Sequence, residues 1–361
     1  MSAVNTSHIL VVGTYTDSLP HVEARGQGIH LLGFDGETGE ITDGPLIQGM
    51  MNPTFLTASR DGTRLYSVQE MGEADGAAVD LFALNPTTSE ARHLARRPAL
   101  GGWPCHVGLD RDERRLYLSN YLSGSFVVYP LDTDGVPAEA PLKIQRAGTG
   151  PNPDRQEGPH VHQGVPTPDG LHVLVCDAGT DSIVRHRLLG DSLDSEPNLI
   201  VQAEGGSLPR HLAFLPDGSG FLVQHELDGT VVSYRYGSEA IEKVASVSAL
   251  PADWTGPRSG ATIRVHPGGR FVYASNRGHD SIVGFDLAGG LASLVPIGWW
   301  STAGRTPRDL IITADGRFLI AANQDSDNLT VFSIDAATGD LRQLATREGI
   351  GSPVCVHLIE R

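Results

Sequence analysis

His162, Arg210, Glu226 and Arg277 make up a set of side chains able to carry out acid–base chemistry on an anionic molecule. The imidazole titrates near neutrality and so can take a proton from water. The carboxylate can do the same if neighbouring cations keep it ionised. The two guanidinium groups suit bidentate capture of a carboxylate or phosphate. Six further residues, His106, Arg155, His160, His211, Asn276 and Arg308, carry side chains fit to bind such a substrate. All ten are scattered along the chain, so only the fold can unite them.

The elements that would do so appear as a repeat. A Pro-led apolar strand, an Asp-Gly turn and a second strand with a polar end run from Pro53 through Asp61-Gly62, and from Pro104 through Asp112-Glu113. The pattern returns from Pro209 through Asp217-Gly218 and from Pro307 through Asp315-Gly316, with looser copies at Asp169-Gly170 and Gly268-Gly269. The turns lie roughly 47 to 57 residues apart, the period of one four-stranded propeller blade. Third strands start near Ser125, Ser182, Thr230, Ser281 and Leu329, and Thr-Gly hairpins after Asp35 and Asp335 lead into fourth strands.

This pattern predicts an all-β chain, a seven-bladed β-propeller with four-stranded antiparallel blades, folded as a single domain over residues 1–361. Six repeats run from about Pro53 to Asp340. The seventh needs both ends of the chain. Ser352 to Glu360 supplies a first strand, and strands beginning near His8 and Gly28 supply its partners, which closes the ring. The absence of a Gly-His to Trp-Asp pairing sets the chain apart from WD40 arrays. A linear β-solenoid is the alternative, and it fits the repeat length less well.

In a blade the first strand lines the central channel and the second returns antiparallel to it, so first-strand starts and second-strand ends share one face. That geometry gathers Cys105-His106, His162, Arg210-His211 and Arg308-Asp309 on one rim. Gln69-Glu70, Asn120-Tyr121, Asp177, His225-Glu226, Asn276-Arg277 and Asn323-Gln324 join them. Several Arg and His around Glu226 would form a locally cationic pocket that focuses an anionic substrate.

Plainer roles fit some of these residues too. His106 and His211 suit the satisfaction of a neighbouring blade's backbone as well as substrate contact, and Glu226 with an Arg suits a structural ion pair. Trp299-Trp300 read as filling between blades, and Arg270 and Arg317 as solvated turn residues. His160 and His162, two apart, share one side of a strand. Spacing supplies no third ligand, and Arg155 and Arg210 would repel a cation. No metal and no cofactor is therefore expected.

The formal charge of −16 disfavours nucleic acid, which needs a basic face for counterion release. Three cysteines without C-x-x-C spacing suggest neither a disulfide framework nor a thiolate zinc site. The residues before His8 lack a basic and then apolar leader, and no stretch approaches ~18 apolar residues. A cytoplasmic protein without a membrane partner, monomeric or a weak homo-oligomer, is the expectation.

At these positions the chain resembles the seven-bladed propeller lactonase family, which includes bacterial 6-phosphogluconolactonases and the fungal carboxy-cis,cis-muconate cyclase. The resemblance covers nearly the whole chain. It is carried by Val12 to Thr16, Pro104 to His106, Asn120 to Ser125, Arg155 to His162, Pro209 to His211, Glu226-Leu227, His266 to Gly278 and Thr306 to Arg308. In the fungal cyclase the residues assigned to chemistry are a His, an Arg, a Glu and a second Arg, and the matching positions here look like His162, Arg210, Glu226 and Arg277.

The resemblance implies hydrolysis of a sugar lactone bearing an anionic group, with 6-phosphoglucono-1,5-lactone the first expectation. Glu226 or His162 would activate water, and Arg210 or Arg277 would stabilise the oxyanion. The other of those two arginines, Arg155 or Arg308 would hold phosphate. The same rim suits a muconate-type cycloisomerase, in which His162 or Glu226 delivers a proton to an alkene carbon. A non-catalytic propeller that binds a peptide or sugar is the third reading. Its rim would be expected to carry aromatic residues, whereas this chain is only 6% aromatic.

Overall fold

Strands that alternate apolar and polar residues must cover their apolar faces with a neighbouring sheet. Here each sheet is covered by the next around a circle. The computed structural model describes residues 7–360 and arranges them in seven antiparallel blades of four strands, two of which carry an additional short strand. The innermost strands of blades 1 to 7 are Leu56–Ala58, Pro104–Leu109, Val161–Pro166, Pro209–Phe214, Gly260–Val265, Pro307–Ile312 and Pro353–Ile359. Each touches the next, and the last touches the first.

The ring closes as the repeat predicted. Pro353–Ile359 pairs antiparallel with Ser7–Thr14, with Ile9 opposite Ile359 and Gly13 opposite Cys355. Ser7–Thr14 then pairs with Ile29–Asp35. Between blades 6 and 7 the join is sealed by Leu10, Val12, Phe318, Ile320, Val331 and Val356, each worth about 1.5–3 kcal/mol of burial. Trp300 fills the gap between blades 5 and 6, against the buried cluster of Phe271, Tyr273, Leu319 and Phe332. Arg270 and Arg317 are half-exposed, yet each lies over a phenyl ring, Phe271 and Phe318, and pairs with a carboxylate.

Five of the loops that deliver the inner strands to the rim share one backbone feature. Asn52, Trp103, Leu208, Thr306 and Ser352, each just before a proline, adopt left-handed backbone with φ between 42° and 59°, a conformation costing a non-glycine residue on the order of 1 kcal/mol. Three of them are held by an aspartate in a turn of the preceding blade. Asp181 accepts from Leu208 N at 2.8 Å, Asp280 from Thr306 N at 2.7 Å and Asp327 from Ser352 N at 2.8 Å. Among the described residues no helix is long and apolar enough to cross a membrane. Residues 1–6, on which part of the leader reading bears, lie outside the described range, as does Arg361.

Candidate active site

Two registers build the site. In the first, the residue just beyond each second strand donates its N–H to the loop carbonyl that precedes the inner strand. This holds for Tyr15, Glu70, Tyr121, Ala178, Glu226, Arg277 and Gln324, one per blade. In the second, the start of the inner strand is bulged. Pro104 faces Asn120 and His106 faces Ser119, which leaves Cys105 over. His162 is left over in the same way between Val161 and Gln163, Arg210 between Pro209 and His211, and Arg308 between Pro307 and Asp309. A bulge re-aims the side chain it carries, and these four all face one cavity.

That cavity has a volume of about 710 Å³, and its wall includes Glu70, Cys105, Tyr121, Arg155, His162, Arg210, Glu226, Arg277 and Arg308. At its centre three guanidinium groups converge on Glu226. Arg155 Nη2 lies 2.6 Å from Oε1, while Arg277 Nη2 and Arg210 Nε lie 3.1 and 3.3 Å from Oε2. Backbone carbonyls of blade 5 fix two of them: Arg210 donates to Ala261 O at 2.7 Å and Arg277 to Gly260 O at 2.9 Å. A side chain at Gly260 would collide with the Gln224 amide and the His225 carbonyl, so glycine is required for this close approach.

Burial pushes the Glu226 carboxyl up, but the Arg277, Arg155 and Arg210 cations outweigh it and hold the group well below the usual carboxylate range. Burial and the Arg277 and Arg308 charges lower Arg210 to about 9, so it stays charged at neutral pH. Burial, followed by the Arg210 charge, drives His162 well below an ordinary imidazole, so it is neutral. Three buried nitrogens here make no hydrogen bond within the protein: His162 Nδ1, Arg277 Nε and Arg210 Nε, the last held only by its ion pair with Glu226. Buried polar atoms are rarely left unpaired, and these three belong to groups on the cavity wall.

The structure brings His162, Arg210, Glu226, Arg277, Arg155 and Arg308 together on this wall and places the other four expected residues elsewhere. His160 stacks on the back of Tyr121, ring centroids 4.4 Å apart, with Nδ1 2.9 Å from Tyr121 O. Asn276 is buried and donates to Ala249 O, just past the outer strand of blade 4, at 2.8 Å, a brace that Asn120 and Asn323 repeat. His106 and His211 sit one residue past the bulge, inside the ring, in a column with Phe55 and His162. Centroid separations there are 4.4 Å for Phe55–His106, 5.9 Å for His106–His211 and 5.1 Å for His211–His162. Among the described residues no group of three His, Cys, Asp or Glu side chains is placed to hold a metal ion.

Tyr15 and His21 are among the residues near this site that the sequence did not single out. Tyr15 belongs to the Val12 to Thr16 stretch and occupies the same register as Glu226, the one signal that would have found it. His21 lies in the loop after it, with its ring 5.5 Å from Trp103 and Nε2 3.2 Å from the Tyr15 hydroxyl. Burial and the Arg308, Arg277 and Arg155 charges lower His21 to about 4.

Comparison with known proteins agrees with this architecture. A family model described as "Lactonase, 7-bladed beta-propeller" matches residues 9–358. A 6-phosphogluconolactonase of Bacillus subtilis is 32% identical over 99% of both chains. A crystal structure titled a putative 6-phosphogluconolactonase from Bacteroides fragilis superposes with a TM-score of 0.91 at 29% identity, covering 100% of both chains. The periplasmic gluconolactonase of Pseudomonas aeruginosa superposes with a TM-score of 0.88 at 28% identity, covering 98% of this chain and 99% of that one. The chain belongs to the seven-bladed β-propeller lactonase family.

Proposed function

We propose that this cavity hydrolyses the ester of an anionic sugar lactone, with 6-phosphoglucono-1,5-lactone as the substrate. The observation that carries the reading is the convergence on one wall of a neutral imidazole, His162, with two buried guanidinium cations, Arg210 and Arg277. His162 takes a proton from water, whose oxygen adds to the lactone carbonyl carbon. Arg210 and Arg277 hold the oxyanion that develops there. The carbonyl re-forms as the bond to the ring oxygen breaks, the proton passes from His162 to that oxygen, and the new carboxylic acid ionises.

Water activation falls to His162 rather than Glu226. The Glu226 carboxylate is already committed to three cations, whereas the neutral His162 imidazole on the same wall makes no ion pair. Anionic substrate offsets the Arg210 charge that otherwise disfavours protonation of His162. Glu226 then serves as the counter-ion that orients the arginines, and Arg155, the most exposed of the three at 39% of its side chain, takes the phosphate. The muconate cycloisomerase reading fits less well. Glu70 and Asp325 on the same wall would face the substrate's several carboxylates with like charge.

The test is titration of acid released from 6-phosphoglucono-1,5-lactone, corrected for spontaneous opening. Arg210→Ala should lower kcat by about 10²–10³, the usual cost of one oxyanion donor. Equal corrected rates for wild type and variant would end this assignment.

A further inference from the structure

The end of the cavity near Glu70 differs in chemistry from the end near Glu226. Around Glu226 three guanidinium groups face one carboxylate, leaving two positive charges in excess. Near Glu70 the cation is Arg308, and Glu70 and Asp325 are both carboxylates of the wall. Among the described residues neither Glu70 nor Arg308 has an ion-pair partner. Buried Glu70 instead accepts from the Tyr15 hydroxyl at 2.9 Å and from the Thr54 hydroxyl at 2.5 Å. Arg308 donates to the Tyr15 hydroxyl at 3.1 Å and to Gln324 Oε1 at 3.2 Å, with its guanidinium 5.4 Å from the centre of the Tyr15 ring.

The Tyr15 hydroxyl thus ties an acceptor and a donor side by side. A carboxylate has about four lone-pair sites and a guanidinium five N–H groups, so both retain capacity for a ligand. A fixed acceptor beside a fixed donor, near charge balance, matches an alcohol, which donates and accepts at once. A carboxylate or phosphate at the same place would be repelled by Glu70 and Asp325.

We propose that Glu70 and Arg308, held side by side by the buried Tyr15 hydroxyl, form a polyol subsite that binds the ring hydroxyls of a sugar lactone and sets the enzyme's preference for hydroxylated substrates. The proposal rests on the lactone-hydrolysis reading and adds an orientation to it. In a sugar lactone with a six-membered ring, the carbonyl carbon and the carbon bearing the phosphorylated arm flank the ring oxygen. The carbonyl and phosphate therefore leave one side of the ring and the remaining hydroxyls the other. Carbonyl and phosphate fall at the cation-rich end, and the hydroxyls fall against Glu70.

The test compares kcat/KM for glucono-1,5-lactone and δ-valerolactone, the same ring without hydroxyls, in wild type, Glu70→Gln and Tyr15→Phe. Circular dichroism first confirms that each variant is folded. Wild type should favour the hydroxylated ring by at least about 100-fold, since a site built to bond a hydroxyl rejects analogues lacking it. Each variant should cut that ratio at least about tenfold. A wild type without preference, or a ratio that both folded variants preserve, overturns the proposal. Calorimetry with gluconate and 5-hydroxypentanoate decides the matter independently of turnover. Tighter gluconate binding that is lost in both variants supports the subsite even if neither lactone is opened, and a preference that persists in both refutes it.

Discussion

Replacing Glu226 by Gln separates the counter-ion role from that of a base. The change keeps the size of the side chain but removes the negative charge that Arg210 and Arg277, both largely buried, and the more exposed Arg155 share. Breaking a buried ion pair costs about 3–5 kcal/mol. The amide oxygen can still accept from Arg155, so about 3 kcal/mol is expected. With an unfolding entropy of about 2.1 cal/mol/K per residue, the 361-residue chain should lose about 4 °C in Tm. Three uncompensated guanidinium groups should also hold an anion more tightly. One charge removed about 6 Å from a bound anion, at an effective dielectric constant of about 20, is worth about 2.8 kcal/mol. Affinity for 6-phosphogluconate should then rise at least about tenfold, while kcat falls at least about tenfold because the arginines lose their anchor. Thermal melting with and without the product, calorimetry and steady-state rates read the three effects. A fall in kcat with Tm and product affinity unchanged would make Glu226 the base and refute the counter-ion reasoning.

The histidine column and the loop braces yield two more expectations. Burial lowers His106 to about 3 and His162 and His211 well below the ordinary value, so between those values and about 6.5 the unfolded chain binds protons that the folded chain does not. Stability should be full above pH 6.5 and fall below it, by about 1 kcal/mol per imidazole at pH 5.5; a Tm that stays flat between pH 7 and 5.5 would contradict this. Asp280→Ala removes the acceptor for Thr306 N, two residues before Arg308. It should cost about 1 kcal/mol and raise KM for a hydroxylated lactone more than it lowers kcat, whereas unchanged Tm and KM would show the brace to be idle.

The repeat, the closure of the ring by the two chain ends and the gathering of polar residues on one rim were legible in the sequence. The reason is that strand periodicity and turn residues are local properties of a sequence. The same regularity hid Tyr15, whose register matches that of Glu226 but whose side chain resembles core.

Adjacent pairs such as Cys105-His106 or Arg210-His211 could not be resolved from sequence, because a regular strand sends neighbours to opposite faces and a bulge shifts that alternation by one residue. Only the pairing with the second strand places the bulge, and so sends Arg210 into the cavity and His211 into the column. Glu226 likewise is a general base or a counter-ion according to how many guanidinium groups reach it. Three do, from blades 4 and 5 and the loop before blade 3. Their convergence depends on the angle between blades, which the ring sets as a whole and no local stretch of sequence encodes.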